Sequence, residues 1–300
     1  STMETVQEEM TDACAANDVV LKLQLIYQSF TLEDFRGDEQ MGNVNIEHSY
    51  VRMKLAEWDP EVAEEAVKGD RDKVRQAVEK KSVEVKLGRV WDVANKEKQG
   101  SSRLVVHGEA GAGKTTLLKR AAFEWANGKL WNDKFKAVVF VKLRNVSKKE
   151  RLEEIVESSA GCDLATATAF VRWCSKHRES VLWIMDGWDE VSFSKNVILK
   201  SIADNTEHRI KFTLAGTRPQ ALHDIKRDLV LTILGFNEHG MKEFVSRYFG
   251  TEQKNVVLAT KVRAALIQDW LRDACRSPLM LRFVCLVAKS LDENATRKTD

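Results

Sequence analysis

"VVHGEAGAGKTTLLKR", Val105 to Arg120, is the stretch that decides the fold. A short apolar run enters a glycine-rich segment, and Leu117, Leu118, Ala121, Ala122 and Trp125 then recur at helical spacing. Gly108-Glu109-Ala110-Gly111-Ala112-Gly113-Lys114-Thr115 fits G-x-x-x-x-G-K-[ST], between a strand and a helix as that pattern requires. Glycines let successive backbone N–H groups turn inward and approach phosphate oxygens closely. The helix that follows adds the positive end of its dipole. Lys114 supplies a mobile charge for β- and γ-phosphates, the Thr115 hydroxyl a ligand for Mg²⁺, and Thr116 an approach to the α-phosphate region. The chemistry is that of a nucleoside triphosphate cradle.

A phosphate loop needs an acid at the end of another strand to complete the magnesium shell. "VLWIMDGWDE", Val181 to Glu190, supplies Asp186 directly after an apolar run, and Gly187 turns the chain away. Asp189 and Glu190 follow where a carboxylate can polarise an attacking water. The next apolar run ends in "AGTRPQ". Arg218 is thereby expected at the C-terminal edge of the sheet, where ligands bind in open α/β sheets, to respond to the γ-phosphate and stabilise transferring charge.

Five short runs rich in β-branched and apolar residues read as strands: 103–107, 137–143, 181–186, 210–216 and 229–234. Helical stretches separate them, among them Leu164–Lys176 and Lys195–Asn205. Strands alternating with helices predict an α/β fold, a five-stranded parallel sheet covered on both faces. Beyond Asn237 the strand pattern stops. Met241, Phe244, Val245 and Tyr248 share one helix face, and Lys261–Arg272 and Leu279–Lys289 read as two further helices. Before the sheet, residues up to about 100 read as helical, with an apolar-rich segment at Val19–Phe30, a helix at Glu61–Lys80 and a polar connector at Ala94–Arg103. The domains expected are therefore a helical segment at 1–97, a nucleotide-binding α/β domain at 98–236 and a small helical domain at 237–300.

Composition narrows the classes. The chain has 300 residues, 43% hydrophobic and 31% charged, enough for one large core or two ordinary ones. A net charge of +2 projects no bulk field toward nucleic acid or anionic lipid. The five cysteines show no C-x-x-C pairing, which fits reduced thiols and a cytoplasmic protein better than a disulfide frame. No apolar run approaches the roughly 20 residues that span a bilayer, and the acidic N-terminus is no signal peptide. Ser1 with Met3 just inside reads as a tag remnant or the start of an excised fragment. Trp125, Trp173 and Trp183 fall on apolar faces and read as core, and His107 reads as a strand-end side chain.

The motifs as a set resemble the NACHT family of STAND nucleotide-binding switches, known from NOD-like receptors. The carriers are the Asp186-Gly187-Trp188-Asp189-Glu190 form of the second motif, Thr217-Arg218-Pro219, "LGFNEHGMKEFVSRYFG" (Leu234–Gly250) and "RSPLMLRFVCLVAK" (Arg276–Lys289). "IEHSYVRMKLAEW" (Ile46–Trp58) and "VEVKLGRVW" (Val83–Trp91) resemble the segment that precedes such domains. The resemblance implies strand order 5-1-4-3-2, ATP and ADP with Mg²⁺ as ligands, Pro278 against the adenine ring, and slow hydrolysis in a switch that controls self-association. It also implies a role in innate immune sensing, with an upstream ligand and a downstream adaptor that the residues do not identify. An arginine often stands where Arg144 does, against a neighbouring protomer; a solvated charge is the simpler reading. One departure is Gly216-Thr217-Arg218 where the family often has T-S-R. Another is that neither a winged helix nor leucine-rich sensor repeats are legible. The rival readings are a turnover enzyme such as a small-molecule kinase on the same core, and a nucleic-acid-stimulated ATPase. No partner among nucleic acids or membranes is expected.

Overall fold

The computed structural model describes residues 2–30, 55–57, 85–97, 100, 102–147, 151–191, 196–204, 207–224, 226–250 and 252–297. The contacts divide the chain into two compact units. The first comprises residues 1–30, 85–107 and 117–231; the second comprises 31–84, 108–116 and 232–300.

The first unit holds the sheet. Its strands are β2 (Arg103–His107), β3 (Ala137–Lys142), β4 (Val181–Asp186), β5 (Phe212–Thr217) and the start of β6 (Leu229–Ile233), in the order β6-β2-β5-β4-β3. Numbering only these five gives 5-1-4-3-2, the order the resemblance implies. A short strand β1 (Leu55–Glu57) falls within the stretch expected to be helical. The pairs β2/β5, β4/β5 and β3/β4 are parallel, with His107 opposite Thr217, Asp186 opposite Gly216 and Lys142 opposite Asp186. Every residue of β5 is buried, and so are the first five of β3 and of β4. That is why these strands read as continuous apolar runs, as parallel strands buried on both faces do.

The helices of this unit are α1 (Thr2–Gln28), α2 (Val90–Glu97), α3 (Lys114–Ala126, entered from the second unit), α4 (Leu152–Ala160), α5 (Leu164–Lys176) and α6 (Val197–Ala203). Asp163 starts α5 by accepting from the Thr166 N–H, and Asn196 starts α6 by accepting from the Leu199 N–H, each satisfying a donor the helix leaves open. Helix α1 is far longer than the Val19–Phe30 segment. It buries Asp12, Ala16, Val19, Leu23 and Tyr27 on one stripe and packs on α5, α4 and β3. Its polar residues hid it: Asp12, on the buried stripe, is held by Arg172 at 2.8 Å and Lys176 at 3.6 Å. At its far end the Tyr27 hydroxyl donates to the Val138 carbonyl (3.0 Å) and accepts the Phe140 N–H (2.8 Å), saturating two backbone groups of the edge strand β3.

Three sequence readings change here. The connector at Ala94–Arg103 begins inside α2, where Ala94 is fully buried. The strand expected at 210–216 is 212–217, which brings Thr217 into the ladder opposite His107. Trp173 is only half-buried and stacks on His177 at 4.5 Å, whereas Trp125 and Trp183 are core. The Glu61–Lys80 helix lies outside the described residues.

The second unit contains α7 (Glu238–Phe249), α8 (Gln253–Ala265), α9 (Asp269–Cys275) and α10 (Pro278–Arg297), with the glycine-rich loop 108–113. Asn237 caps α7 by accepting from the Gly240 N–H. Met241, Val245, Phe249, Leu258, Val262, Leu281 and Cys285 form its core. The single helix expected at Lys261–Arg272 is two. The last turn of α8 tightens, with Ile267 N–H bonded to Ala264 and Gln268 N–H to Ala265, and extended Gln268 restarts the chain so that Asp269 meets the positive end of α9.

Candidate functional site

The loop 108–113 leaves β2 at His107 and enters α3 at Lys114. Its glycines answer to different demands. Gly111 and Gly113 adopt φ of 75° and 95°, a left-handed backbone that side chains resist. Gly108 is ordinary in φ but crowded: a Cβ there would stand 3.2 Å from the Ala112 Cβ and 3.5 Å from the Ile233 carbonyl oxygen. Glu109 and Ala110 are exposed at the loop's tip, while Lys114, Thr115 and Thr116 are half-buried in the first turn of α3. The Lys114 ammonium folds back over the loop, donating to the Gly108 carbonyl at 2.7 Å and the Glu109 carbonyl at 3.0 Å. The Ala112 N–H closes a turn on the Glu109 carbonyl at 3.2 Å.

Within the same unit the loop meets the start of α10. The Ser277 hydroxyl donates to the Gly111 carbonyl at 3.1 Å, and the Leu279 N–H points at the same oxygen at 3.5 Å. Pro278 stands between them, half-buried, at the first helical position, where a missing N–H costs nothing. A Cβ on Gly111 would stand 2.8 Å from the Leu279 Cβ. Just before Ser277, the Arg276 carbonyl lies against the backbone of Gly235 (φ 77°), which follows β6, and accepts the Phe236 N–H at 2.8 Å. The stretches beginning Leu234 and Arg276 thus touch each other directly. Sequence reasoning missed Ser277 and Leu279, because Gly111 occupies a position the phosphate pattern leaves open.

The first unit carries the acidic motif and the arginine. Asp186 ends β4 half-buried, its Oδ1 3.6 Å from where a Cβ on Gly216 would lie. Gly187 (φ 82°) turns the chain, and the Glu190 carboxylate curls back beneath it, 3.2 Å from where its Cβ would be. Asp189 and Arg218 are brought together: the Arg218 N–H and Nε reach the two oxygens of that carboxylate, each at 3.0 Å. His107 is buried at the end of β2, and Arg144 is exposed in the turn after β3. The glycine at 216, where the family often carries threonine, has a local reason. A Cβ there would meet Leu118 Cδ1 at 2.7 Å, so Leu118 already fills that space.

These features coincide with a family model. The model described as "NACHT domain" matches residues 102–252, just over half of the chain. The chain belongs to the NACHT domain family. Among curated relatives, it is 28% identical over 214 residues to human "NACHT, LRR and PYD domains-containing protein 10", covering 65% of this chain and 32% of that protein. To human "NACHT, LRR and PYD domains-containing protein 3" it is 25% identical over 283 residues, covering 84% of this chain and 26% of that protein. The chain therefore spans about a quarter to a third of the length of these relatives. Among solved structures, a chain of the Drosophila ORC bound to DNA is similar at a TM-score of 0.38 and 16% identity, over 68% of this chain and 54% of that one. The NACHT domain here has the P-loop NTPase fold in its own right, by strand order and by the loop that follows β2. Among the described residues no helix is long and apolar enough to cross a membrane.

Proposed function

We propose that this NACHT domain binds ATP and ADP with Mg²⁺ and acts as a slow ATPase switch. The observation that carries the reading is the loop Gly108–Gly113 at the start of α3, with left-handed Gly111 and Gly113 and the Lys114 ammonium folded back over it, a shape suited to cradling phosphate. The backbone of Gly108, Glu109, Ala110, Gly111, Ala112 and Gly113 would wrap the β-phosphate. Lys114 would exchange its two carbonyl partners for phosphate oxygens, a gain because a charge-assisted bond to an anion outweighs one to a carbonyl. Thr116 would approach the α-phosphate, and Pro278 the base.

Thr115 would offer Mg²⁺ a hydroxyl and Asp186 a carboxylate, the oxygen ligands that cation prefers. When bound there, Mg²⁺ would supply charge neutralisation at the phosphates. For hydrolysis, Glu190 would take the proton of the attacking water, while Asp189 orients Arg218 for charge developing on the γ-phosphate. The division of labour proposed is a helical segment at 1–97, the nucleotide domain at 98–236 and a helical domain at 237–300 that responds to the bound nucleotide.

The relatives' names place such domains beside LRR and PYD modules. On that basis the reading extends to cytoplasmic signalling in innate immunity, with self-association controlled by nucleotide exchange. The test is the nucleotide that co-purifies with the protein. ADP that resists dialysis supports a switch. An empty, rapidly cycling site, or strong stimulation by nucleic acid, would favour a turnover enzyme or a motor instead.

A further inference from the structure

The nucleotide reading leaves Ser277 without a part, yet its hydroxyl is directed at the phosphate loop. We infer that Ser277 is a positioning residue for the loop, latching the Gly111 carbonyl outward and thereby setting the Gly111–Ala112 peptide for phosphate. The inference rests on the proposed nucleotide site and deepens it.

A trans peptide is planar, with its C=O and N–H pointing in opposite directions. Whatever fixes the Gly111 carbonyl therefore fixes the direction of the Ala112 N–H, which here closes the turn on the Glu109 carbonyl at 3.2 Å and would exchange that partner for phosphate, as the Lys114 ammonium would. Two donors from the start of α10 converge on that carbonyl: the Ser277 hydroxyl at 3.1 Å and the Leu279 N–H at 3.5 Å. A serine just before a helix ordinarily turns its side-chain oxygen to its own N2 or N3 N–H. That role uses the oxygen as an acceptor and leaves the proton, which Ser277 gives to the loop. The fit is steric as well. Gly111 has a φ of 75°, and a Cβ on it would stand 2.8 Å from Leu279 Cβ and 3.1 Å from Ser277 Oγ. Glycine at this open position of the phosphate pattern is thus required by the start of α10. The latch is anchored from behind, since the neighbouring Arg276 carbonyl accepts the Phe236 N–H at 2.8 Å and is crowded by Gly235. Peptide planes set before the ligand arrives reduce the ordering cost of binding.

The experiment compares wild type, Ser277→Ala, Ser277→Thr and Lys114→Ala, titrating Mg·ADP by calorimetry and recording the melting temperature without nucleotide. Ser277→Ala should weaken Mg·ADP about three- to tenfold, the range of one hydrogen bond, while Ser277→Thr keeps the hydroxyl and wild-type affinity. A purely structural serine would lower the nucleotide-free melting temperature and leave the dissociation constant of the folded protein unchanged, which overturns the latch. Equal weakening in Ser277→Ala and Ser277→Thr overturns it too, because the hydroxyl would then not be the cause. If Ser277→Ala binds like wild type while Lys114→Ala loses binding, the latch falls and the nucleotide reading stands. If wild type binds no nucleotide, both fall.

Discussion

Arg218 occupies both oxygens of the Asp189 carboxylate, its N–H on Oδ1 and its Nε on Oδ2, each at 3.0 Å. The two residues come from the turns after β5 and β4, adjacent parallel strands, so the pair ties together two loops at one edge of the sheet. Arg218 is 52% exposed and the pair adds less than about 1 kcal/mol to stability. Its consequence is orientation: Asp189 holds the arginine, and in the proposed hydrolysis Glu190 would be the carboxylate that acts on water. Glu190→Gln should therefore leave ATP binding intact and lower turnover by about 10²–10⁴, measured by phosphate release under saturating ATP. Loss of turnover in Asp189→Asn alongside normal turnover in Glu190→Gln would exchange the two roles.

The edge of the sheet offers a test of stability. Tyr27→Phe removes the hydroxyl that serves Val138 and Phe140 and leaves a buried N–H and C=O on β3 without it. A loss of about 1–3 kcal/mol is expected, seen as a lowered thermal midpoint with far-ultraviolet dichroism otherwise unchanged. An unaltered midpoint would mean that α1 contributes nothing to that edge.

Asp228 sets an acid limit. Burial opposes its ionisation, but N–H bonds from Ser102 and Arg103, with the Arg103 guanidinium, win and hold its carboxyl below the usual range. A carboxyl depressed in the folded state contributes stability above its unfolded pKa, near 3.9, and that contribution is lost as pH falls through the lower folded value. Asp228→Asn should lower the melting temperature at pH 7, with the gap from wild type narrowing below about pH 4. A gap independent of pH would show that the carboxylate's charge is not what matters.

Gly235 is a backbone requirement. With φ at 77° and the Arg276 carbonyl against it, Gly235→Ala must shift the approach of the segments 234–236 and 276–279. The variant should lose more than about 1 kcal/mol in a denaturant titration. Retention of wild-type stability would mean that this turn relaxes freely.

The sheet was legible because its strands are buried on both faces and so spell continuous apolar runs, and because helices with ordinary caps lie between them. Strand order could not come from local spacing; the resemblance supplied it. Helix α1 was partly hidden because it buries Asp12, whose partners Arg172 and Lys176 lie some 160 residues away in sequence. Strand β1, three residues long, carries too little pattern to find. Of the proposed site residues, Lys114, Thr115, Asp186 and Arg218 were marked by their places in short motifs at the ends of apolar runs. Ser277 was not, since a serine before a proline at a helix start has an ordinary explanation, and only its contact with Gly111 reveals another.

The most direct test of the central claim is nucleotide titration of Lys114→Ala, with circular dichroism as the folding control. The account predicts an unchanged fold and a loss of one to two decades in affinity for ATP and ADP, the worth of a charge-assisted bond to phosphate. Wild-type affinity in a folded Lys114→Ala protein would contradict it.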